Sequence, residues 1–170
     1  LAVDGGQALM AEALCDMVAM EAIPSRLFNQ VGGGALAASS ALAVETALCT
    51  GLISHRPRFL TVQTESVSPL ARALAKIRAE YGPQGRILSD AEWHQIAAQA
   101  RQYMWPWESV PHSAAHGILD DETYDWLPCI KEIWKSNGDA MTVPESAILA
   151  AHQLAHTATG IAVSATGSAG

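Results

Sequence analysis

Residues 27–36 read LFNQVGGGAL, and this stretch decides the fold. A short apolar run ends at Val31, three consecutive glycines follow, and an Ala-rich segment begins at Ala35. The pattern predicts a buried strand over Leu27–Val31, a glycine loop, and then a helix of about 16 residues. Glycines leave backbone N–H groups uncovered and let an anion approach the positive end of a helix. The stretch is therefore either a phosphate-binding loop or a plain tight connection between a strand and a helix.

Further strands and helices alternate along the rest of the chain. The other β-forming segments are Phe59–Gln63, Ala140–Val143 and Gly160–Val163. Helical spacing or helix-start residues mark Gln7–Ala19 (with Asp4 as its N-cap), Pro69–Glu80, Asp90–Tyr103, Tyr124–Ser136 and Pro144–Ala158. This alternation predicts an α/β fold, with an open, mostly parallel twisted sheet and helices on both faces. We expect one domain over residues 1–170, with an irregular and helical insertion over about residues 81–123.

Composition and charge narrow the class of protein. The formal net charge of −7 and the absence of a basic patch argue against nucleic acid as the main partner. The most apolar stretch, Ala35–Ile53, contains Glu45 and several hydroxyl residues, so it predicts a buried helix and no membrane span. Cys15, Cys49 and Cys129 are far apart and form no CxxC motif, which predicts reduced core cysteines in a cytoplasmic protein.

Four motifs, taken in order, resemble a known family. They are DGGQ (4–7), VGGGAL (31–36), TVQTE (61–65) and ATGIAVSATGSAG (158–170). Together they resemble fold-type II pyridoxal-phosphate enzymes, the group that contains threonine synthase and the threonine/serine dehydratases. The resemblance implies pyridoxal 5'-phosphate as cofactor and a hydroxy- or phosphohydroxy-amino acid as substrate, converted by elimination or replacement. A threonine synthase-like lyase or synthase is the first expectation, and a dehydratase-like deaminase is the alternative.

The resemblance also implies which residues hold the cofactor. It assigns the phosphate to the backbone amides of Gly32, Gly33, Gly34, Ala35 and Leu36. Several N–H donors at a helix N-terminus complement a dianion, so the physical chemistry agrees. The hydroxyl of Thr166 would face the pyridine nitrogen, with Ser168 as the alternative. A neutral hydroxyl leaves that nitrogen largely unprotonated, which favours elimination and replacement.

No catalytic residue is expected within this chain. The resemblance covers almost all of the chain but only the C-terminal part of such an enzyme, so the Schiff-base lysine is expected upstream. Lys76, Lys131 and Lys135 lie on predicted amphipathic helices and are interpreted as solvated charges. We therefore expect a fragment that is inactive alone. Its expected partners are the missing N-terminal part of the same enzyme, further copies of itself in a homo-oligomer, and the amino-acid substrate.

Two histidine pairs have the spacing of one helix face. His152 and His156 share a helix with Glu145, and His112 and His116 repeat the spacing in an irregular region. No cysteine joins either pair, so the sequence predicts a half-buried helix face for the first pair and no metal site for either.

Two other features leave alternatives open. Residues 116–121, HGILDD, supply Asp120 or Asp121 to a substrate pocket, or they form a solvated turn. Trp105 and Trp107 anchor a subunit contact, or they pack the insertion.

Two rival functions have some support. A Rossmann-like dinucleotide site would use GGGALA (32–37) and Glu65 at the end of the second strand, but it leaves the TGSAG ending unexplained. In the leading hypothesis, Glu65 instead approaches the cofactor or favours the start of the next helix. A non-catalytic module that binds a phosphate ligand or assembles through exposed apolar surface is the second rival.

Overall fold

The computed structural model describes residues 2–170. In this part of the chain, β1 (Arg26–Gln30), β2 (Arg58–Thr64) and β3 (Asp139–Val143) form one parallel sheet in the order β1-β2-β3. Because the strands are parallel, their carboxyl ends meet at one edge. The helices are α1 (Ala2–Ala19), α2 (Ala35–Cys49), α3 (Pro69–Tyr81), α4 (Asp90–Ala98), α5 (Ala100–Tyr103), α6 (Trp126–Lys135) and α7 (Glu145–Thr159).

The central strand explains the parallel pairing. In β2, RFLTVQT, every side chain after Arg58 is buried. Burial of successive side chains on both faces, without exposed alternate positions, is typical of an interior strand of a parallel sheet. Three of the strands that the sequence predicts are thus confirmed, and so is the α/β class.

The main core lies between the sheet and α2, α3 and α6, with further side chains from α4 and α5. It contains fully buried aliphatic side chains from α3 and α6, which pack with Phe59 of β2 and with Ala37 and Ala38 of α2. The aliphatic members are Leu70, Leu74, Ile77, Ile130 and Ile133. Burial of this apolar set is the main force that holds the sheet to its helices.

The opposite face of the sheet is less completely covered. Phe28 and Met141 lie on this face beside Leu60 and Val62, yet they are 46% and 36% exposed. α7 covers only the carboxyl end of this face, where Ile148 packs with Val143. Helices therefore flank the sheet, but an apolar strip stays accessible on one face.

The fourth predicted strand, Gly160–Val163, is wrong. Gly160 adopts a left-handed conformation, with φ of 67°, and ends α7 by donating its N–H to the carbonyl of His156. The Val163 N–H then bonds back to Ile161, whose side chain is 63% exposed. An isolated extended segment cannot form a ladder, and no strand in residues 2–170 lies beside this one.

The helix boundaries differ from the predicted ones at two points. The predicted Asp90–Tyr103 helix is divided at Gln99 into α4 and α5. Asp4 lies inside α1, which begins at Ala2, so it is not the N-cap. Cap patterns locate a helix start less reliably than apolar spacing locates its body, because several nearby residues can satisfy the first N–H groups.

The three cysteines lie in different environments. Cys129 is buried, and burial raises the pKa of its thiol to about 12. Cys15 and Cys49 are exposed, so the expectation that all three are core residues is wrong for these two, which lie on outer faces of α1 and α2.

The helices were expected to include no membrane span. Among residues 2–170, no helix combines the length and the apolarity needed to cross a membrane.

One buried polar side chain joins the sheet to the elements at its carboxyl edge. Gln63 of β2 is 1% exposed. Its oxygen accepts hydrogen bonds from the N–H groups of Leu70 (2.9 Å) and Ala71 (3.3 Å) at the start of α3. Its nitrogen donates to the carbonyl of Val31 (3.3 Å) and to the hydroxyl of Thr123 (3.4 Å). Both the oxygen and the nitrogen of the Gln63 side chain therefore have hydrogen-bond partners, as buried polar atoms require.

We expect Gln63→Leu to lower the free energy of unfolding by about 2 to 3 kcal/mol, because it leaves buried groups of Leu70 and Val31 without partners. Urea denaturation followed by far-UV circular dichroism measures the change. Gln153→Leu on the exposed part of α7 is the matched control and should change stability by less than about 0.5 kcal/mol. Equal effects of the two variants would show that the Gln63 bonds contribute little.

Candidate functional site

The glycine loop connects β1 to α2 at the carboxyl edge of the sheet. The Val31 N–H still bonds to the carbonyl of Val62 (2.9 Å), so the chain leaves the sheet only after this residue. Gly34 then takes φ of 98°, in the left-handed region, and α2 begins at Ala35. A Cβ on Gly34 would also lie 2.8 Å from the methyl group of Thr123. Both the backbone conformation and the close neighbour require glycine at this position.

The backbone donors of this loop are open. Among residues 2–170, no acceptor receives a hydrogen bond from the amides of residues 32–36. Within this part of the chain, no side chain caps the start of α2 either. The N–H groups at a helix start carry the positive end of the helix dipole, and unpaired donors there favour an anion. We call the open amides of residues 32–36 the cradle, and their arrangement is one that suits an anion.

A cavity of about 220 Å³ lies in front of these donors. It is formed by the glycine loop, by the short 3-10 turn His116–Ile118, and by the C-terminal segment. Its lining residues are Gln30, Gly32, Gly33, Gly34, Ala35, Leu36, Gly117, Ile118 and Thr166. The structure thus brings all six sequence-predicted site residues to one cavity, although Thr166 is far from the other five in the chain.

Thr166 and Ser168 occupy different environments. The Thr166 hydroxyl lines the cavity and accepts a hydrogen bond from the Gly117 N–H (2.9 Å). The Ser168 hydroxyl donates back to the carbonyls of Ser164 (3.1 Å) and Ala165 (3.3 Å). Of these two hydroxyls, only that of Thr166 faces the cavity, and the bond from Gly117 fixes its position.

Residues 117–125, which we call the cover segment, pack directly on the glycine loop. A Cβ on Gly32 would overlap the carboxylate oxygen Oδ2 of Asp120 and would lie 3.0 Å from the carbonyl oxygen of Gly117. Asp120 therefore lies against the loop and is not part of a freely solvated turn. Its carboxylate stands beside the cradle, and like charge disfavours an anion there.

The cover segment is also bonded to the loop. The Asp125 N–H donates to the carbonyl of Gly33 (2.9 Å). A Cβ on Gly33 would lie 3.0 Å from the ring of Tyr124, which is 66% exposed and can move aside. The Gly33 carbonyl is thereby held away from the cavity, and its amide stays open.

Sequence reasoning did not identify Gln30, Gly117 or Ile118 as cavity residues. Gln30 ends β1, and the HGILDD segment was assigned to a pocket only through its acidic residues. The sequence signal that could have identified this part of the cavity is the glycine followed by an apolar residue, Gly117–Ile118, inside that segment. In residues 2–170, the cavity lining includes no Lys or Arg side chain, so backbone dipoles are the positive groups that the lining offers to an anion.

A second cavity, of about 390 Å³, is formed by residues 111–119 and the start of α7. His112, His116 and Glu145 are among its lining residues. Glu145 accepts a hydrogen bond from the Ala114 N–H (2.7 Å), and this bond, followed by one from the Ser113 hydroxyl, lowers the pKa of its carboxyl group. The Glu145 carboxylate therefore holds residues 113–114 against the start of α7.

His152 and His156, the pair on α7, contact each other and a backbone carbonyl. The rings of His152 and His156 lie 4.8 Å apart, and His156 contacts the carbonyl of Val163 (3.0 Å). Within residues 2–170, no three His, Cys, Asp or Glu side chains form a group that could hold a metal ion.

The lysines and Glu65 lie outside the cavity lining. Lys135 pairs with Glu45 (3.2 Å), and the ammonium of Lys131 lies 5.6 Å from the centroid of the Trp93 ring. Lys76 has its ammonium 4.8 Å from the centroid of the Trp105 ring, so these lysines are less purely solvated than expected. The side chain of Glu65 is exposed.

Three solved structures share the fold. Threonine deaminase from T.th. has a TM-score of 0.69 at 23% identity, over 98% of this chain and 48% of that protein. Maize serine racemase has a TM-score of 0.62 at 17% identity, over 99% of this chain and 41% of that protein. The processed form of threonine deaminase isoform 2 from Solanum lycopersicum has a TM-score of 0.59 at 14% identity, over 86% of this chain and 33% of that protein.

The chain spans less than half the length of each of these proteins. No protein-family model matches it, and no curated protein matches it in sequence. At these identities the likeness establishes the fold, which is the one implied by the resemblance to fold-type II pyridoxal-phosphate enzymes.

We expect Asp120→Asn to raise the affinity for inorganic phosphate about threefold to tenfold, because it removes a negative charge beside the cradle. Asp121→Asn makes the same change in net charge at the next residue and should alter affinity less than about twofold. Phosphate titration monitored by ³¹P NMR at constant ionic strength measures both. Equal gains from the two variants would mean that only net charge acts.

Proposed function

We propose that this chain forms the phosphate-binding portion of a pyridoxal-phosphate-dependent enzyme that acts on hydroxy-amino acids. The observation that carries the proposal is the set of five open amides at the start of α2, set within the fold of threonine deaminase and serine racemase. Both the donor geometry and the lack of a competing side-chain cap suit a phosphate monoester dianion.

The residues of the chain divide the work of holding the cofactor. The amides of residues 32–36 would bind its phosphate, and the N-terminal dipole of α2 would stabilise the charge. The Thr166 hydroxyl would donate to the pyridine nitrogen, because the Gly117 N–H occupies one of its acceptor positions and orients it. When bound, pyridoxal phosphate withdraws electrons from the α-carbon of the amino acid.

For the reaction, we favour loss of water from serine or threonine to give an enamine, whose imine form is then hydrolysed by water to a 2-oxo acid and ammonia. The support is that two of the similar structures are threonine deaminases. Threonine synthase-like chemistry on a phosphohydroxy-amino acid is the second candidate, supported by the TGSAG ending and the insertion between β2 and β3.

The proposal includes partners. The Schiff-base lysine would come from the missing N-terminal part of the enzyme. The exposed strip at Phe28 and Met141 offers that part, or another copy of the chain, an apolar surface to cover. A cytoplasmic location, predicted from the three separated cysteines, stays a prediction.

The reaction is tested with the complete protein and added pyridoxal phosphate. Serine, threonine and O-phosphohomoserine are supplied separately, and 2-oxo acid and inorganic phosphate are measured. We expect 2-oxo acid from serine or threonine. Phosphate release from O-phosphohomoserine, without 2-oxo acid from the other two, would favour the synthase-like candidate. No turnover of any of them would contradict the proposed substrate class.

Gly33→Asp tests the cradle itself. We expect it to weaken binding of pyridoxal phosphate at least about tenfold, because it adds a second carboxylate to the loop close to that of Asp120, and the added negative charge repels the phosphate. Gly33→Ala adds a methyl group without charge and should cost much less, since the nearby Tyr124 ring is exposed. Gly5→Asp, where nothing lies within 4 Å of a Cβ, is the matched control for charge.

The measurement is a fluorescence titration with pyridoxal phosphate, with thermal unfolding recorded for every variant. If Gly33→Asp and Gly5→Asp bind equally well, the phosphate site lies elsewhere.

A further inference from the structure

Arg72 lies in the first turn of α3, and its guanidinium group stacks on the insertion. The guanidinium carbon is 3.6 Å from the ring centroid of Trp105 and 4.9 Å from that of Trp107. The group also donates to the carbonyl oxygen of Trp105 and to the carboxylate of Glu108 (3.3 Å). The predicted tryptophan pair therefore packs the insertion onto α3 through a cation.

This arginine is strongly constrained for a charged residue. Its side chain is 17% exposed, and its Nε has no hydrogen-bond partner among residues 2–170. Trp105 has a second cation near it, because the ammonium of Lys76 lies 4.8 Å from the centroid of the same ring. Stacking on the indole face compensates a partly desolvated guanidinium, and arginine is better suited to it than lysine because the group is planar.

The segment that Arg72 holds is bonded to the cover segment at two points. The Trp107 N–H donates to the carbonyl of Asp121 (3.0 Å). The Thr123 N–H donates to the sulfur of Met104 (3.4 Å), the residue before Trp105. Movement of residues 104–107 would therefore carry the cover segment with it.

The cover segment in turn contacts each glycine of the loop. Asp120 lies against Gly32, the Asp125 N–H bonds to the Gly33 carbonyl, and the Thr123 methyl group limits Gly34. A continuous series of contacts thus runs from a side chain on α3, outside the cavity lining, to the backbone of the phosphate cradle.

We propose that Arg72 is a positioning residue for the anion cradle, which it orders by clamping Trp105 and Trp107 and, through them, the cover segment. The expected effect of Arg72 on ligand binding rests on the proposed function, because the anion concerned is the phosphate of pyridoxal phosphate. The ordering of residues 32–36 by Arg72 does not depend on which ligand binds.

The test uses Arg72→Met, Arg72→Lys and a matched control, Arg78→Met. Arg78 lies on the same helix and pairs with Asp139 (2.9 Å) at the start of β3, away from the tryptophans. Arg72→Met keeps an apolar stem but removes the charge and the donors. Arg72→Lys keeps a charge that can lie over the indole.

Two quantities are measured in each purified variant: amide hydrogen exchange without ligand, and affinity for pyridoxal phosphate by fluorescence titration. We expect Arg72→Met to speed exchange about tenfold in residues 117–125 and in the first turn of α2, where the Ala38 N–H bonds to the Gly34 carbonyl, and to weaken binding about fivefold. Arg72→Lys should recover most of both effects. Arg78→Met should leave exchange in these two segments and the affinity within about twofold of the unsubstituted protein.

Exchange that rises uniformly over the whole chain in Arg72→Met would show a purely structural role and overturn the proposal. Unchanged exchange at Asp125 and Ala38, whose N–H groups bond to the loop carbonyls, or equal effects of Arg78→Met, would also overturn it. Trp107→Leu is the second variant if Arg72→Met does not fold, and it should speed exchange in the same two segments. If the unsubstituted protein does not bind pyridoxal phosphate but the exchange pattern is as expected, only the proposed function fails.

Discussion

The absence of side chains at Gly32–Gly34 is the constraint on which the rest of the site depends. The cover segment lies so close to these residues that a Cβ on Gly32 or Gly34 would collide with Asp120 or Thr123. Close packing on one side of the loop turns its carbonyls toward the protein, as the Asp125–Gly33 bond shows. The amides are then left open to the cavity that Gly117, Ile118 and Thr166 complete.

Two opposite electrostatic effects act on an anion at the carboxyl edge of the sheet. Among residues 2–170, the cavity is lined by no basic side chain, and the chain carries a formal charge of −7. Attraction for an anion comes from unpaired N–H groups and the α2 dipole, while the Asp120 carboxylate opposes it. Such a cradle depends on accurate backbone placement more than a cluster of lysines would, because dipole interactions fall off quickly with distance. The connections from Gln63 and Arg72 to the loop and its cover therefore matter for binding.

Much of the fold could be predicted because its signals are local. The apolar run of β2 and the VGGGAL junction each specify a strand or a strand-to-helix turn within a few residues. Gly160–Val163 has the same apolar character and yet forms no strand, because pairing needs a neighbour that residues 2–170 do not provide. The exposure of Cys15 and Cys49 escaped prediction for a related reason, since burial depends on which helix face meets a partner.

Local patterns along the chain were enough to predict the α/β class, the three strands and the glycine loop between β1 and α2, because backbone propensity and glycine content act over short distances. Only the folded structure shows that Thr166 and Gly117 meet that loop, that Asp120 lies beside it, and that Arg72 contacts the insertion through two tryptophans. These contacts join residues far apart in the chain. Their geometry is set by how the insertion packs onto α3 and onto the sheet edge, which no local pattern encodes.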